Sequence, residues 1–184
     1  MRGVATSFLK RIAERALAAP SSGPDSPETE SVRRIVAALE ALPPDRARYV
    51  AAFAYILGRV ARADLNISEG ETRRMEGIVE RIAGLETAQA VLAVQIARAQ
   101  ATLFGATENF LVTREFDQVA TREQKVALLS CLFAVAAEDD NVSVVEDNEI
   151  RRVSIELHLT HDDFIEARSA FRDALSVLRR PPAP

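Results

Sequence analysis

The sequence predicts an all-α protein: a single helical domain of about seven helices with two pseudo-equivalent helix–loop–helix motifs, preceded by an N-terminal amphipathic helix. Three observations carry this. All eight prolines lie at positions 20, 24, 27, 43, 44, 181, 182 and 184, so none interrupts the stretch from Asp45 to Arg180, and proline costs about 3 kcal/mol inside a helix. That stretch is rich in Ala, Leu, Glu, Arg and Gln, all good helix formers. It holds no period-2 run bounded by hairpin turns.

The elements follow in order. Residues 1–19 step their apolar positions by four through Val4, Phe8, Ile12 and Ala16, and four basic residues against Glu14 give the segment +3. This is the pattern of a basic amphipathic helix. Residues 20–27 form a Pro/Ser/Gly linker, and the helical domain spans 28–180. Its first helix runs from Glu28 to about Leu42, capped by Ser26, and stops at Pro43-Pro44. A second covers Asp45 to about Ala63. Ser68 caps the next, to Ala83, where Gly84 stops it. Further helices span about Glu86 to Phe104 and Thr107 to Val119. Thr121 with Gln124 makes a capping box for a buried helix ending at Ala137. Ser143 with Glu146 opens a helix to Leu157, and Thr160 with Asp163 opens a last one to Leu178.

Composition narrows the function. The chain has 184 residues, 48% hydrophobic and 27% charged, which suits one folded domain able to bury a core without staples. A net charge of −4 lacks the basic footprint of a nucleic-acid binder. The longest apolar run, Val126 to Ala137, is too short to span a bilayer. One cysteine, Cys131, cannot form an internal disulfide and reads as an inert core residue.

Two stretches read alike. Asp64-Leu65-Asn66-Ile67-Ser68-x-x-Glu71 and Asp139-Asp140-Asn141-Val142-Ser143-x-x-Glu146 share the pattern Asp-x-Asn-(Ile/Val)-Ser-x-x-Glu, 75 residues apart. Each joins an apolar helix to an amphipathic one, so the pair is an internal duplication. Alternating oxygen side chains in a tight loop, with a carboxylate from the first helical turn, suit a hard cation such as Ca²⁺ or Mg²⁺. The candidate ligands are Asp64, Asn66 and Glu71 in the first copy, and Asp139, Asp140, Asn141 and Glu146 in the second. Neither is an EF-hand loop: its glycine would fall on Glu69 and Val144, and its closing glutamate on Met75 and Ile150.

The same residues have a structural reading. Ser68 with Glu71 and Ser143 with Glu146 are complete capping boxes, and Asp64 and Asp139 fit Asx turns. A helix N-terminus also favours anions over cations. The second copy is the stronger cation candidate, because residues 138–149 hold six acids and no base, whereas Arg62, Arg73 and Arg74 surround the first.

These motifs resemble the TerB-like tellurite-resistance family, whose helical domain is shared with the N-terminal part of the membrane co-chaperone DjlA. That family shows Ala-Asp-Gly-x-Ile-Ser-x-x-Glu twice, and the resemblance covers roughly 32–178. The family's glycine is Leu65 in the first copy and Asp140 in the second. A glycine there serves a left-handed backbone, which Asp tolerates better than Leu. The resemblance implies a non-enzymatic, cytoplasmic stress-response module that binds a divalent cation or a protein partner through its acidic loops. It implies a partner associated with a membrane, and pairs Asp64 with Glu71 and Asp139 with Glu146.

Other chemistry is weakly signalled. Ser154, His158 and Asp162 lack a nucleophile elbow or oxyanion hole, and Thr160 caps a new helix between His158 and His161. Two rival readings stay open: a metal-dependent hydrolase using Asp139 and Glu146 to activate water, and a structural adaptor whose acids only cap helices. Residues 1–19 have a sharper reading too, as a peripheral membrane contact with Phe8, Leu9 and Ile12 inserted among anionic headgroups.

Overall fold

The computed structural model describes residues 27–61, 69–103 and 109–178. The predicted N-terminal helix, the linker up to Ser26, and Asp64, Leu65, Asn66 and Ser68 of the first loop lie outside these described residues. Among the described residues there are eight α-helices and no sheet. They are α1 (Pro27–Glu40), α2 (Pro44–Val60), α3 (Glu69–Ala83), α4 (Thr87–Leu103), α5 (Asn109–Val119), α6 (Arg122–Ala136), α7 (Val144–Glu156) and α8 (His161–Ser169).

Most boundaries fall within two or three residues of the sequence reading. Gly84 at the end of α3 sits at φ +63°, the left-handed conformation that a helix-stopping glycine supplies at least cost. The capping boxes at Thr121, Ser143 and Thr160 all form. α1 ends at Glu40 rather than Leu42, because the residue before a proline is pushed out of helical backbone.

The last helix is the one large correction. It stops at Ser169, not Leu178, and the chain continues as two 3₁₀ turns, Arg172–Ala174 and Ser176–Leu178. Between them Leu175 is extended, buried and bridged in parallel to Val142. The Val142 N–H donates to the Ala174 carbonyl at 2.8 Å, and the Ser176 N–H donates to the Val142 carbonyl at 3.0 Å. Burying Leu175 and satisfying the loop backbone outweigh the helical propensity of the segment.

α2 forms the centre. Every residue from Tyr49 to Val60 is buried, on all faces of the helix, as in a helix enclosed by others. It packs most extensively on α4 and α5, and also touches α1, α6 and α7. The two motifs interlock: α3, from the first, lies on α6, while α7, from the second, lies on α2. Rings of Tyr49, Phe53 and Phe116 meet at 5.2–6.3 Å, and Phe133 holds α8 through Phe164 at 5.8 Å. Cys131 is fully buried, and burial pushes its thiol up to about 12, consistent with an inert core residue.

Candidate functional site

The second acidic loop joins α6 to α7, and its backbone is held from within. The Asp140 N–H donates to the Ala137 carbonyl at 2.9 Å. Asp140 then turns through φ +58°, the left-handed conformation expected where the resembling family has glycine. The Asn141 N–H donates to Asp139 Oδ1 at 3.1 Å, forming the Asx turn. Val142 is buried and bridged to Leu175, so the loop is also pinned by the C-terminal segment. The Glu146 N–H donates to Ser143 Oγ at 3.2 Å, and the Ser143 N–H to Glu146 Oε2 at 2.8 Å.

The six acids of 138–149 divide into two groups. Four are half-buried and serve caps or ion pairs. Glu138 pairs with Arg74 of α3. Glu146 closes the capping box. Asp147 receives two bonds from Arg168 of α8, at 2.8 and 2.7 Å, and this contact pushes the Arg168 guanidinium up. Glu149 accepts from Arg59 of α2 at 2.7 and 3.0 Å. The remaining two, Asp139 and Asp140, are exposed at the loop tip. Directly after the cap, Val144 and Val145 are 50% and 76% exposed, more than most valines of a folded domain.

The structure places the predicted ligands unequally. Asp139, Asp140, Asn141 and Glu146 share one loop and the first turn of α7. Glu71 stands in the first turn of α3, half-buried. Among the described residues, no three carboxylate, imidazole or thiol side chains are grouped so as to hold a metal ion. Elsewhere, Ser154 Oγ donates to its own helix at the Arg151 carbonyl, 2.8 Å. His158 Nδ1 lies 3.3 Å from Asp117, and Thr160, the N-cap of α8, lies between His158 and His161.

Sequence reasoning missed Arg59. Its side chain is 2% exposed, and it donates to Glu149, to Glu156 at 2.8 Å and to Thr113 Oγ1 at 2.6 Å. One guanidinium thus joins α2, α5 and α7. Burial lowers its affinity for the proton, but the bonds it donates to Glu156 and Glu149 outweigh this and hold it above its ordinary value. Burial pushes the Glu156 carboxyl up, yet Arg59 and Thr113 together bring it below the usual carboxylate range. The one signal in the sequence is a charge inside an otherwise apolar run, Phe53 to Val60.

A family model described as tellurite resistance protein TerB matches residues 50–169. That span runs from within α2 to the end of α8 and takes in both acidic loops. No curated protein and no solved structure matches the chain.

Proposed function

The chain belongs to the TerB family, and from that premise we propose that it is a binding module without catalytic chemistry of its own, serving the tellurite and stress responses its resemblance implies. Its working surface is the second acidic loop, and the ligand is a basic, partly apolar segment of a protein partner. The observation that supports this is the exposure of the loop tip. Asp139 and Asp140 are exposed there, and Val144 and Val145, which follow directly after the cap, are exposed too. Two carboxylates beside two valines complement a segment that alternates lysine with leucine. Such a patch contributes through charge steering and apolar burial together.

A divalent cation, Ca²⁺ or Mg²⁺, is the second reading. Asp139, Asp140 and Asn141 offer oxygens at consecutive positions of one rigid loop. Glu146 gives Oε2 to the Ser143 N–H, so it would join them through Oε1, and the hydrolase alternative draws on the same oxygen. The first-copy ligands Asp64, Asn66 and Glu71 are proposed on the resemblance alone. The reading places the protein in the cytoplasm. A peripheral membrane contact through residues 1–19 is proposed with it, and co-sedimentation with anionic liposomes before and after their deletion reads it.

One titration series tests both readings. A fluorescein-labelled Lys/Leu peptide should bind the wild type, and Asp139→Asn/Asp140→Asn should weaken it at least about tenfold, equivalent to roughly 1.4 kcal/mol. Unchanged binding would remove the partner reading from this loop. In parallel, Ca²⁺, Mg²⁺, Mn²⁺ or Zn²⁺ at about 100 times its dissociation constant would add roughly 2.7 kcal/mol of stability. A shift in the unfolding midpoint that vanishes in Asp139→Ala would install the cation instead.

A further inference from the structure

The duplication brings one register of α3 and α7 into direct comparison. On α7, Glu149 and Glu156 stand seven residues apart and close on the Arg59 guanidinium, with contacts of 2.7 and 2.8 Å. The guanidinium arrives from the first helix of the other motif. Seventy-five residues earlier, the same two positions of α3 are Arg74 and Arg81, a clamp of opposite sign. The facing helix here is α6, and the position matching Arg59 is Ala134. No acid enters from that position. Glu138, one turn further along, engages Arg74, and the Arg81 Nε donates to the Gly77 carbonyl at 3.1 Å.

What remains is an open groove of about 510 Å³ lined by the arginines Arg73, Arg74 and Arg81, the acids Glu80 and Glu138, and Gly77 with Ile78. Gly77 is its second peculiarity. Glycine is the poorest helix residue after proline, and it stands mid-helix where the second copy has Arg152. A Cβ added there would meet nothing within 4 Å, and the backbone is helical. Neither close packing nor a left-handed turn inside the fold requires it. Its bare backbone keeps the floor of the groove open between arginines, with Ile78 as the apolar wall. Arg73 on the rim has no ion-pair partner among the described residues.

We propose that this groove docks an acidic segment of a partner protein, with one carboxylate taken between Arg74 and Arg81 and an apolar side chain set over Gly77 against Ile78. The carboxylate plays the part that Arg59 plays, with opposite sign, in the other copy. A peptide is favoured over a small anion because the lining is mixed. Glu80 and Glu138 offset two of the three arginines and leave the lining net positive, and the apolar wall gives a side chain something to cover. This surface is distinct from the acidic loop of the proposed function, and the two share only Glu138. A bound carboxylate would compete with Glu138 for Arg74, so filling the groove would loosen one anchor of that loop.

The test is fluorescence anisotropy with a fluorescein-labelled Glu/Leu peptide, run on the full chain at low and moderate salt. Wild type should bind, more weakly as salt rises. Gly77→Leu, which fills the floor, and Arg81→Glu, which reverses one jaw, should each weaken binding at least about tenfold. Thermal unfolding should show Gly77→Leu as stable as the wild type or more so, which separates a blocked groove from a damaged fold. Asp139→Asn/Asp140→Asn should leave this affinity unchanged, keeping the outcome independent of the acidic-loop reading. No binding by the wild type would overturn the proposal, as would equal affinity in Gly77→Leu. Displacement of the peptide by sub-millimolar inorganic phosphate would also overturn it, in favour of a simple anion site.

Discussion

α3 and α7 descend from one pattern and present the same register to the opposite motif, yet their charges do different things. On α7 the register is acidic, and both glutamates are drawn onto a buried guanidinium that joins three helices. On α3 it is basic. One arginine meets Glu138 at the surface, the other folds back on its own helix, and glycine lies between them. A duplicated helix thus carries a structural ion cluster in one copy and an open groove in the other. The lesson is that a shared sequence pattern fixes where a side chain is placed, while its partner on the facing helix, Arg59 or Ala134, decides what it does.

The largest expected effect breaks the comparison on its structural side. Arg59→Ala should cost about 3 kcal/mol in urea or thermal unfolding, because it removes the buried counter-ion of Glu149 and Glu156 and leaves them only the exposed Arg152. A loss under about 1 kcal/mol would show that the cluster is solvated in solution. The variant should also change the acid limb. The Glu156 carboxyl lies below its ordinary value in the fold, so its contribution is present above the ordinary carboxylate range and lost as pH falls through the lowered value. Stability of the wild type should therefore drop on acidification below about pH 5. In Arg59→Ala, which has already lost the pair, that part of the slope should be missing.

Leu175→Ala comes next, at about 2–3 kcal/mol for a buried leucine, measured by chemical denaturation. It sharpens the comparison because Leu175 pins the second loop from outside its own motif. An effect below about 1 kcal/mol would mean that the strap is not packed as described. Asp140→Leu is smaller. It installs the first copy's residue at a left-handed position and should destabilise by about 1–2 kcal/mol, whereas Asp140→Gly should be near neutral. Equal stability of the leucine and glycine variants would contradict the backbone account of this loop.

Much of the fold was legible in the sequence because its signals are local. The distribution of proline, the three capping boxes and Gly84 act within a few residues of themselves, so the helices between them followed. The second copy of the loop was equally legible, including the left-handed turn at Asp140 and the Asx turn at Asp139. What stayed hidden depends on distant pairing. The end of α8 is set by Leu175 meeting Val142, some thirty residues away, against local propensity. The role of Arg59 is set by acids 90 and 97 residues on. Six acids within twelve residues resembled a cation cradle, yet Arg74, Arg168 and Arg59 arrive from three other helices to engage three of them.

The most direct measurement compares the two copies at one register. Thermal unfolding is followed for the wild type, for Glu149→Ala/Glu156→Ala and for Arg74→Ala/Arg81→Ala. The account predicts a large drop in midpoint for the glutamate pair, which strands the buried Arg59 guanidinium. For the arginine pair it predicts a change within about 1 kcal/mol, the usual worth of an exposed ion pair. Comparable drops in both would show that the α3 arginines also hold the fold together, and would contradict the division between a structural copy and an open one.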